Sequence, residues 1–78
     1  MLKIAIVGCG KIADDHVHAI RRVPDCEIVA LCDWESLMAL QLGERFGISA
    51  CFSDLHEMLR ATAPDVVHIT TQEECRDD

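Results

Sequence analysis

Short apolar runs alternate with segments of helical periodicity along the chain. Runs rich in isoleucine and valine occupy residues 2–7, 27–32 and 65–70, and a shorter apolar run occupies residues 48–52. Continuous apolar runs of about four to eight residues are typical of strands that are buried on both faces, as in a parallel sheet. The pattern therefore predicts four strands, and the fourth has the same two-sided apolar character as the first.

The segments between the first three runs have the periodicity of amphipathic helices. The first helix is predicted to continue until Pro24 interrupts it. Its apolar positions are Ile12, His16, Ile20 and Val23, with Ala13 and Val17 alongside. The second helix covers residues 35–46, with Gly47 placed as a left-handed cap. Gly43 lies inside this helix and costs about 1 kcal/mol relative to alanine, which makes the second helix the weaker prediction.

A third helix is predicted to follow Asp54, which forms a capping box with Glu57, and Pro64 ends it. The resulting order β-α-β-α-β-α-β gives three consecutive βαβ units, whose crossovers are right-handed. We therefore expect an α/β fold with three layers. A parallel sheet of about four strands, in the doubly wound order 3-2-1-4, would carry helices on both faces.

A glycine-rich loop joins the first strand to the first helix in the sequence GCGKIA, which begins at Gly8. The first glycine permits a tight turn, and Gly10 lets a pyrophosphate approach the backbone. Ala13 is small enough for the helix to pack closely against the strand. We expect the amides near Lys11 and Ile12 to donate to phosphate oxygens, because the N-terminus of a helix attracts anions.

An acidic residue closes the second strand at the position that such a loop requires. Asp33 lies 20 positions beyond Ala13, and a carboxylate there can accept hydrogen bonds from both ribose hydroxyls of adenosine. It also repels a 2′-phosphate, and no arginine follows immediately, so NAD is favoured over NADP. Trp34 comes next, and two interpretations remain open: an adenine ring lies against it, or it packs at the start of the second helix.

The combination of these segments resembles the N-terminal part of the glucose–fructose oxidoreductase / inositol dehydrogenase (Gfo/Idh/MocA) family. The segments that carry the resemblance are IAIVGCGKIA with His16 and Ala19, then EIVALCD, RFGI, SDLHEML and PDVVHITT. The resemblance implies a Rossmann-type half-domain and a nicotinamide cofactor that serves to oxidise or reduce sugars, cyclitols or related alcohols. It also implies roles for individual residues. Contacts with pyrophosphate would come from Gly8, Gly10, Lys11 and Ile12, contact with the adenosine ribose from Asp33, and contact with the cofactor beside the fourth strand from Thr70 and Thr71.

The resemblance ends near Thr71, since Gln72 stands where the family usually has proline. We expect a dinucleotide-binding half-domain over residues 1–71 and an acidic tail over residues 72–78. The family's catalytic lysine and its substrate domain lie beyond this length, so we expect no turnover by these 78 residues alone. The alternative function is a non-catalytic nucleotide-binding or assembly module that self-associates through the edge of the fourth strand.

Charge and cysteine content exclude several classes of partner. Seven basic and fourteen acidic residues give a formal net charge of −7, which argues against nucleic acid or anionic membrane as a partner. The five cysteines form no C-x-x-C pair, and we expect them to be reduced and mostly buried, which favours a cytoplasmic location. Neither a signal peptide nor a membrane span of about 20 apolar residues is recognisable.

Several residues near the loop have plainer interpretations than catalysis. Asp14 and Asp15 are expected to favour the helix dipole, and Cys9 has no neighbour in the sequence that would activate a thiolate. His16 is expected to pack on the apolar stripe, and His18 to be solvated. His68 fits a buried strand position and a site position equally well, and Lys11 is equally suited to lean over the phosphates or to remain in solvent.

Overall fold

Strands and helices alternate in the predicted order in the computed structural model, which describes residues 1–70. The elements are β1 (Leu2–Val7), α1 (Lys11–Arg21), β2 (Cys26–Cys32), α2 (Ser36–Phe46), β3 (Cys51–Phe52), α3 (Leu55–Thr62) and β4 (Val66–Ile69). Thr71 and the acidic tail over residues 72–78 lie outside the described residues. Within residues 1–70, no helix is both long and apolar enough to cross a membrane.

All strand pairs are parallel, and the strand order is β3-β2-β1-β4, as predicted. The pairing of β1 with β2 shifts register between Ile4 and Ala5. At the opposite end of β1 from the glycine loop, Lys3 and Asp65 exchange two hydrogen bonds. The Asp65 amide donates to the Lys3 carbonyl at 2.7 Å, and the Lys3 amide donates to the Asp65 carboxylate at 2.8 Å. These bonds fix the start of β4 against β1.

Helices cover the sheet on both faces, which confirms the three-layer prediction. One face of the central strands buries Ile6 and Leu31 against α1 and α2. The opposite face buries Ala5 and Ala30 against Met58 of α3. Because successive side chains of a strand point to opposite faces, the continuous apolar runs of β1 and β2 fill two separate cores.

Helix α1 differs from its prediction in length and in the face that it buries. It ends at Arg21 and does not extend to Pro24. Ala13 and Val17 are fully buried, whereas Ile12 is 52% exposed and Val23 is 47% exposed. Residues four apart share a helix face, and the small Ala13 side chain lets this face approach the sheet closely. The core face of α1 is therefore centred on Ala13 and Val17, and the prediction that Ile12 and Val23 belong to it was wrong.

Gly43 lets α2 pack closely against the segment that leads into β3. From the sequence, only the cost of Gly43 to the helix was predicted, and this packing role was not. A Cβ atom at Gly43 would collide with the Ile48 carbonyl oxygen and would lie 2.8 Å from Cys51 Sγ. Gly47 is left-handed with φ 73°, as predicted, and the Ile48 amide donates back to the Gly43 carbonyl at 2.8 Å. That bond belongs to the helix terminus, so Ile48 cannot join the sheet, and β3 is shorter than the predicted 48–52.

Helix α3 begins where the sequence predicts. Asp54 Oδ1 accepts hydrogen bonds from the amides of His56, at 2.8 Å, and Glu57, at 3.2 Å. A side-chain cap of this kind satisfies amides that have no partner inside the helix. The last residue before Pro64, Ala63, adopts a left-handed conformation with φ 43°, which ends the helix.

Strand β4 is an edge strand, and the prediction that it is buried on both faces was wrong. Val66, Val67 and Ile69 are 41%, 37% and 66% exposed. Helix α3 packs mainly on β2 and β3, so it leaves this side of β4 uncovered. The apolar run identified the strand correctly but contained no information about which elements cover it.

Candidate functional site

The glycine loop, which we call the phosphate loop (residues 8–13), has different conformations at its two glycines. Gly8 has φ 93°, a region that other residues rarely adopt. Its amide donates to the Cys32 carbonyl at 2.8 Å and so continues the pairing between β1 and β2. Gly10 is the N-cap of α1 in an extended conformation that any residue can adopt, with φ −81°. The backbone alone therefore requires glycine at Gly8 but not at Gly10.

The first turn of α1 leaves backbone donors available. No side chain caps this helix, and the Ala13 amide already donates to the Gly10 carbonyl at 3.0 Å. The amides of Lys11 and Ile12 precede it in the same turn, where they have no intrahelical acceptor. Both side chains are exposed, while Ala13 is fully buried, as its proposed packing role requires.

Asp33 joins the phosphate loop to the turn that follows β2. Its Oδ2 accepts a hydrogen bond from the Cys9 amide at 2.6 Å, and its Oδ1 accepts one from the Glu35 amide at 2.9 Å. Each carboxylate oxygen has a further lone pair, so the group can still accept hydrogen bonds from a diol. The structure thus places Asp33 directly beside the loop, at the carboxyl end of the sheet.

Thr70, which directly follows β4, anchors the phosphate loop from the side of β1 opposite to β2. Its amide donates to the Val7 carbonyl at 2.8 Å, and its hydroxyl donates to the Gly8 carbonyl, with the Val7 carbonyl 3.3 Å away. The residue is only 7% exposed. The sequence suggested Thr70 as a cofactor contact, and the structure adds a role in holding Gly8. Thr71 lies outside the described residues.

A cleft of about 640 Å³ opens at these strand ends, within the range of ordinary ligand sites. It is lined by Val7, Gly8, Gly10, Ile12, Cys32, Asp33, Trp34, Glu35, Met38, Ser53, Asp54, Leu55, His56 and Thr70. Among the described residues, this lining contains three carboxylates and neither lysine nor arginine. Trp34 is 93% exposed at the cleft, so the interpretation of Trp34 as a packing residue was wrong.

Cys9 lies inside the phosphate loop but does not face the cleft. Its side chain is 1% exposed, and its thiol donates to the Cys32 carbonyl at 3.5 Å. Burial, with a smaller contribution from the Asp33 carboxylate, raises the pKa of the Cys9 thiol to about 12. A thiol with such a pKa is protonated at neutral pH and is a poor nucleophile. This agrees with the expectation that Cys9 is not activated.

Two side-chain pairs near the site were not predicted from the sequence. Asp14 forms an ion pair with Arg45 of α2, with Oδ1 2.8 Å from Nη2. His16 Nδ1 lies 2.7 Å from His68 Nε2, although the two residues are 52 positions apart. In each pair the two residues are far apart in the sequence and become neighbours only when α1 packs against the sheet and α2, so no local pattern predicts the contact. Within residues 1–70, no cluster of three or more His, Cys, Asp or Glu side chains is arranged to hold a metal ion.

Comparison with known proteins agrees with this geometry. Residues 2–78 match the model of an oxidoreductase family with an NAD-binding Rossmann fold, Gfo/Idh/MocA. The chain belongs to this family. The predicted resemblance is thereby confirmed, and the chain has the NAD-binding Rossmann fold of this oxidoreductase family.

Among sequence relatives, a D-apiose dehydrogenase of Paraburkholderia graminis is 42% identical over 69 residues, which are 88% of this chain and 18% of the relative. A D-glucoside 3-dehydrogenase of Escherichia coli is 40% identical over 70 residues, or 87% of this chain and 20% of the relative. The chain thus spans about a fifth of the length of these dehydrogenases.

Solved structures show the same fold. An oxidoreductase from Agrobacterium radiobacter, in complex with NAD+, L-tartaric acid and magnesium, superposes with a TM-score of 0.84 at 32% identity. The match covers 94% of this chain and 21% of that one. The WlbA dehydrogenase from Bordetella pertussis, in complex with NADH and UDP-GlcNAcA, gives a TM-score of 0.81 at 30% identity, covering 90% of this chain and 22% of that one.

Proposed function

We propose that the cleft binds NAD with its pyrophosphate at the phosphate loop and its adenosine ribose on Asp33. The observation that carries this proposal is the position of the Asp33 carboxylate, which is hydrogen-bonded to the Cys9 amide within the loop. Pyrophosphate and ribose are adjacent groups of one ligand, so their binding groups must also be adjacent. The free amides of Lys11 and Ile12 stand at the N-terminus of α1, where the helix dipole favours phosphate.

The charges around the cleft favour NAD over NADP. Asp33, Glu35 and Asp54 are its charged lining residues, and all three are acidic. A 2′-phosphate would bring more negative charge to the ribose, where a carboxylate repels it and the described lining offers no guanidinium to bind it. A 2′-hydroxyl would instead donate a hydrogen bond to Asp33.

The remaining site residues have supporting roles in this proposal. Trp34 offers an exposed aromatic face beside Asp33, on which an adenine ring can stack. Thr70 holds the Gly8 carbonyl and lines the cleft, so it fixes the loop against which the cofactor packs. Lys11 is exposed at the first turn of α1, from which its ammonium group can reach a phosphate.

In the whole protein, we propose that this domain serves hydride transfer between NAD and an alcohol carbon of a sugar, cyclitol or similar compound. Bound NAD supplies the hydride acceptor, and the residues of this chain hold and orient it. The chain spans about a fifth of the length of the dehydrogenases that it matches, so we expect these 78 residues to bind NAD without turnover.

The two glycines of the phosphate loop provide a test. Gly10→Ala keeps an allowed backbone, so we expect it to cost at most about 1 kcal/mol of stability as a change of N-cap residue. It should nevertheless abolish NAD binding, because its methyl group lies where pyrophosphate must approach. In the unmodified chain, NAD at 100 times Kd should stabilise the fold by about 2.7 kcal/mol in thermal melts.

Gly47→Ala is the matched control. It introduces the same methyl group at Gly47, which has φ 73°, with open space around it and outside the lining of the cleft. It should lower the melting midpoint but leave the stabilisation by NAD intact. Unchanged NAD stabilisation in Gly10→Ala would contradict the proposed site, and greater stabilisation of the unmodified chain by NADP than by NAD would contradict the cofactor preference.

A second candidate function, self-association, is favoured by one observation. Among the described residues, β4 is an edge of the sheet and exposes Ile69 and Val67, and such strands tend to pair with another chain. Sedimentation velocity over a range of concentrations tests this function. Ile69→Lys should weaken any dimer that forms through β4, while a strictly monomeric, folded chain would exclude this function.

A further inference from the structure

His16 of α1 and His68 of β4 form a direct contact between their rings. The Nδ1 atom of His16 lies 2.7 Å from the Nε2 atom of His68, and the ring centroids are 4.5 Å apart at an angle of 59°. Both residues are half-buried. A hydrogen bond between two ring nitrogens requires one nitrogen that carries a proton and one that offers a lone pair. At least one ring must therefore be neutral for the bond to exist.

The bond joins two segments that hold the phosphate loop. His68 lies two residues before Thr70, whose hydroxyl and amide bind the Gly8 and Val7 carbonyls. His16 lies one helical turn after Ala13, the last residue of the loop. The edge strand β4 has few other contacts that fix it to a helix, because Val66, Val67 and Ile69 are exposed.

Among residues 1–70, the positions that flank the pair in the sheet and along α1 are apolar, so they do not offset the charge of a second proton. His68 stands opposite Ile6 in the sheet register, and Val66 shares its face of β4. On α1, the residues three and four positions from His16 are apolar: Ile12, Ala13, Ala19 and Ile20.

The charged and titratable groups of the adjacent elements are engaged or turned outward. On α1, Asp14 pairs with Arg45, and Asp15 and His18 are exposed. At the start of β1 and β4, the Asp65 carboxylate accepts a hydrogen bond from the Lys3 backbone amide, and Lys3 itself is exposed. Within the described part of the chain, no salt bridge includes either histidine of the pair.

We propose that His16 and His68 form a proton-sensitive link that holds β4, and through Thr70 the phosphate loop, in the arrangement that binds NAD. The bridging proton maintains the link at neutral pH. Protonation of both rings removes the acceptor and places two cations side by side, so the link opens. The effect on NAD rests on the proposed function, whereas the effect on β4 does not.

The sign of the pH dependence follows from counting protons. In the unfolded chain both histidines take up a proton on acidification, whereas the folded pair holds only one while the link exists. The unfolded state therefore binds more protons, and stability falls as pH falls. Histidine protonation falls ordinarily between about pH 5 and pH 8, so the response lies in a range where the rest of a protein usually remains folded.

A double variant separates the link from its proton sensitivity. In His16→Asn the side-chain amide replaces Nδ1, and in His68→Gln it replaces Nε2. The pair can then form a neutral hydrogen bond that does not titrate. His18→Gln is the matched control, because it removes an exposed histidine of the same helix that packs only edge-on against Phe46, with ring centroids 5.0 Å apart.

Thermal and urea melts at several values between about pH 5 and pH 8 test the link without cofactor. The unfolding equilibrium constant should rise on acidification in the unmodified chain and in His18→Gln. The rise should be steeper than in the double variant by up to about tenfold per pH unit. Equal slopes in all three proteins would overturn the proposal. If the double variant does not fold, the single His16→Asn variant serves, with the same expected loss of slope.

Titration with NAD at the same pH values tests the connection to the loop. Apparent NAD affinity should fall about three- to tenfold more on acidification in the unmodified chain than in the double variant, the loss expected for one hydrogen bond. Different melting slopes with identical NAD profiles would refute the connection to the loop. No NAD binding at any pH would refute the proposed function, while the melts would still decide the link.

Discussion

The hydroxyl of Thr70 is expected to stabilise both the fold and the cofactor site. Thr70→Val removes this hydroxyl while keeping the shape of the side chain, so no cavity contributes to the result. The half-buried Gly8 carbonyl then loses its side-chain donor, while the bond between the Thr70 amide and the Val7 carbonyl remains. Removing one partner of a buried hydrogen bond costs about 1–3 kcal/mol. In a domain of this size, that corresponds to a fall of about 4–8 °C in the melting midpoint per kcal/mol.

The assay is a urea melt of Thr70→Val and of Thr70→Ser, each repeated with saturating NAD. Serine keeps the hydroxyl and should retain most of the stability, apart from a methyl group worth about 1 kcal/mol. Thr70→Val should in addition bind NAD more weakly, because the Gly8 carbonyl is released within the loop. A valine variant as stable as the unmodified chain, with unchanged NAD affinity, would refute the anchoring role. Equal losses in both variants would assign the effect to packing.

Two further predictions concern stability. Gly43→Ala should destabilise the chain by about 1–3 kcal/mol in urea melts through overpacking, although alanine favours a helix by about 1 kcal/mol. Gln41→Ala on the exposed face of α2 is the control, and a stabilised Gly43→Ala would contradict the close contact. Because burial raises the pKa of Cys9 from 9.0 to about 12, the folded state keeps this proton as pH rises, and stability should fall from about pH 9 upward by at most 1.4 kcal/mol per unit. Urea melts of Cys9→Ala should show a shallower slope, to which Cys32 and Cys51 still contribute because burial also raises the pKa of each thiol. An equally steep slope in the variant would contradict the role of Cys9.

The strands and their order were predictable because they depend on patterns that are local in the sequence. Apolar runs identified β1 and β2 within one residue, and the alternation of strands and helices predicts parallel strands joined by right-handed crossovers. The end of β3 was predictable for the same reason, but its start was not. Ile48 belongs to the apolar run and yet bonds back to Gly43, and such competition between a helix terminus and a strand is invisible in composition.

The parts of the site that could not be predicted depend on contacts between distant segments. The sequence identified Asp33 and the glycines through their spacing, since a ligand of fixed size imposes that spacing. It did not identify the bond from Thr70 to Gly8 or the contact of His16 with His68, which span 62 and 52 positions. Burial was misjudged at β4 and at Ile12 for a related reason. An apolar side chain near a strand end or sheet edge is covered only if another element reaches it.

The strength of the proposed cofactor site is expected to depend on its least protected strand. The phosphate loop is held from β1 itself, from β2 through Asp33, and from β4 through Thr70. The first two strands are central and mostly buried, whereas Ile69, the residue before Thr70, is 66% exposed. Local opening requires least free energy where few apolar contacts must break, so β4 should open before the core does. Anything that covers β4 would then tighten cofactor binding without touching the cofactor, because it would keep Thr70 on Gly8.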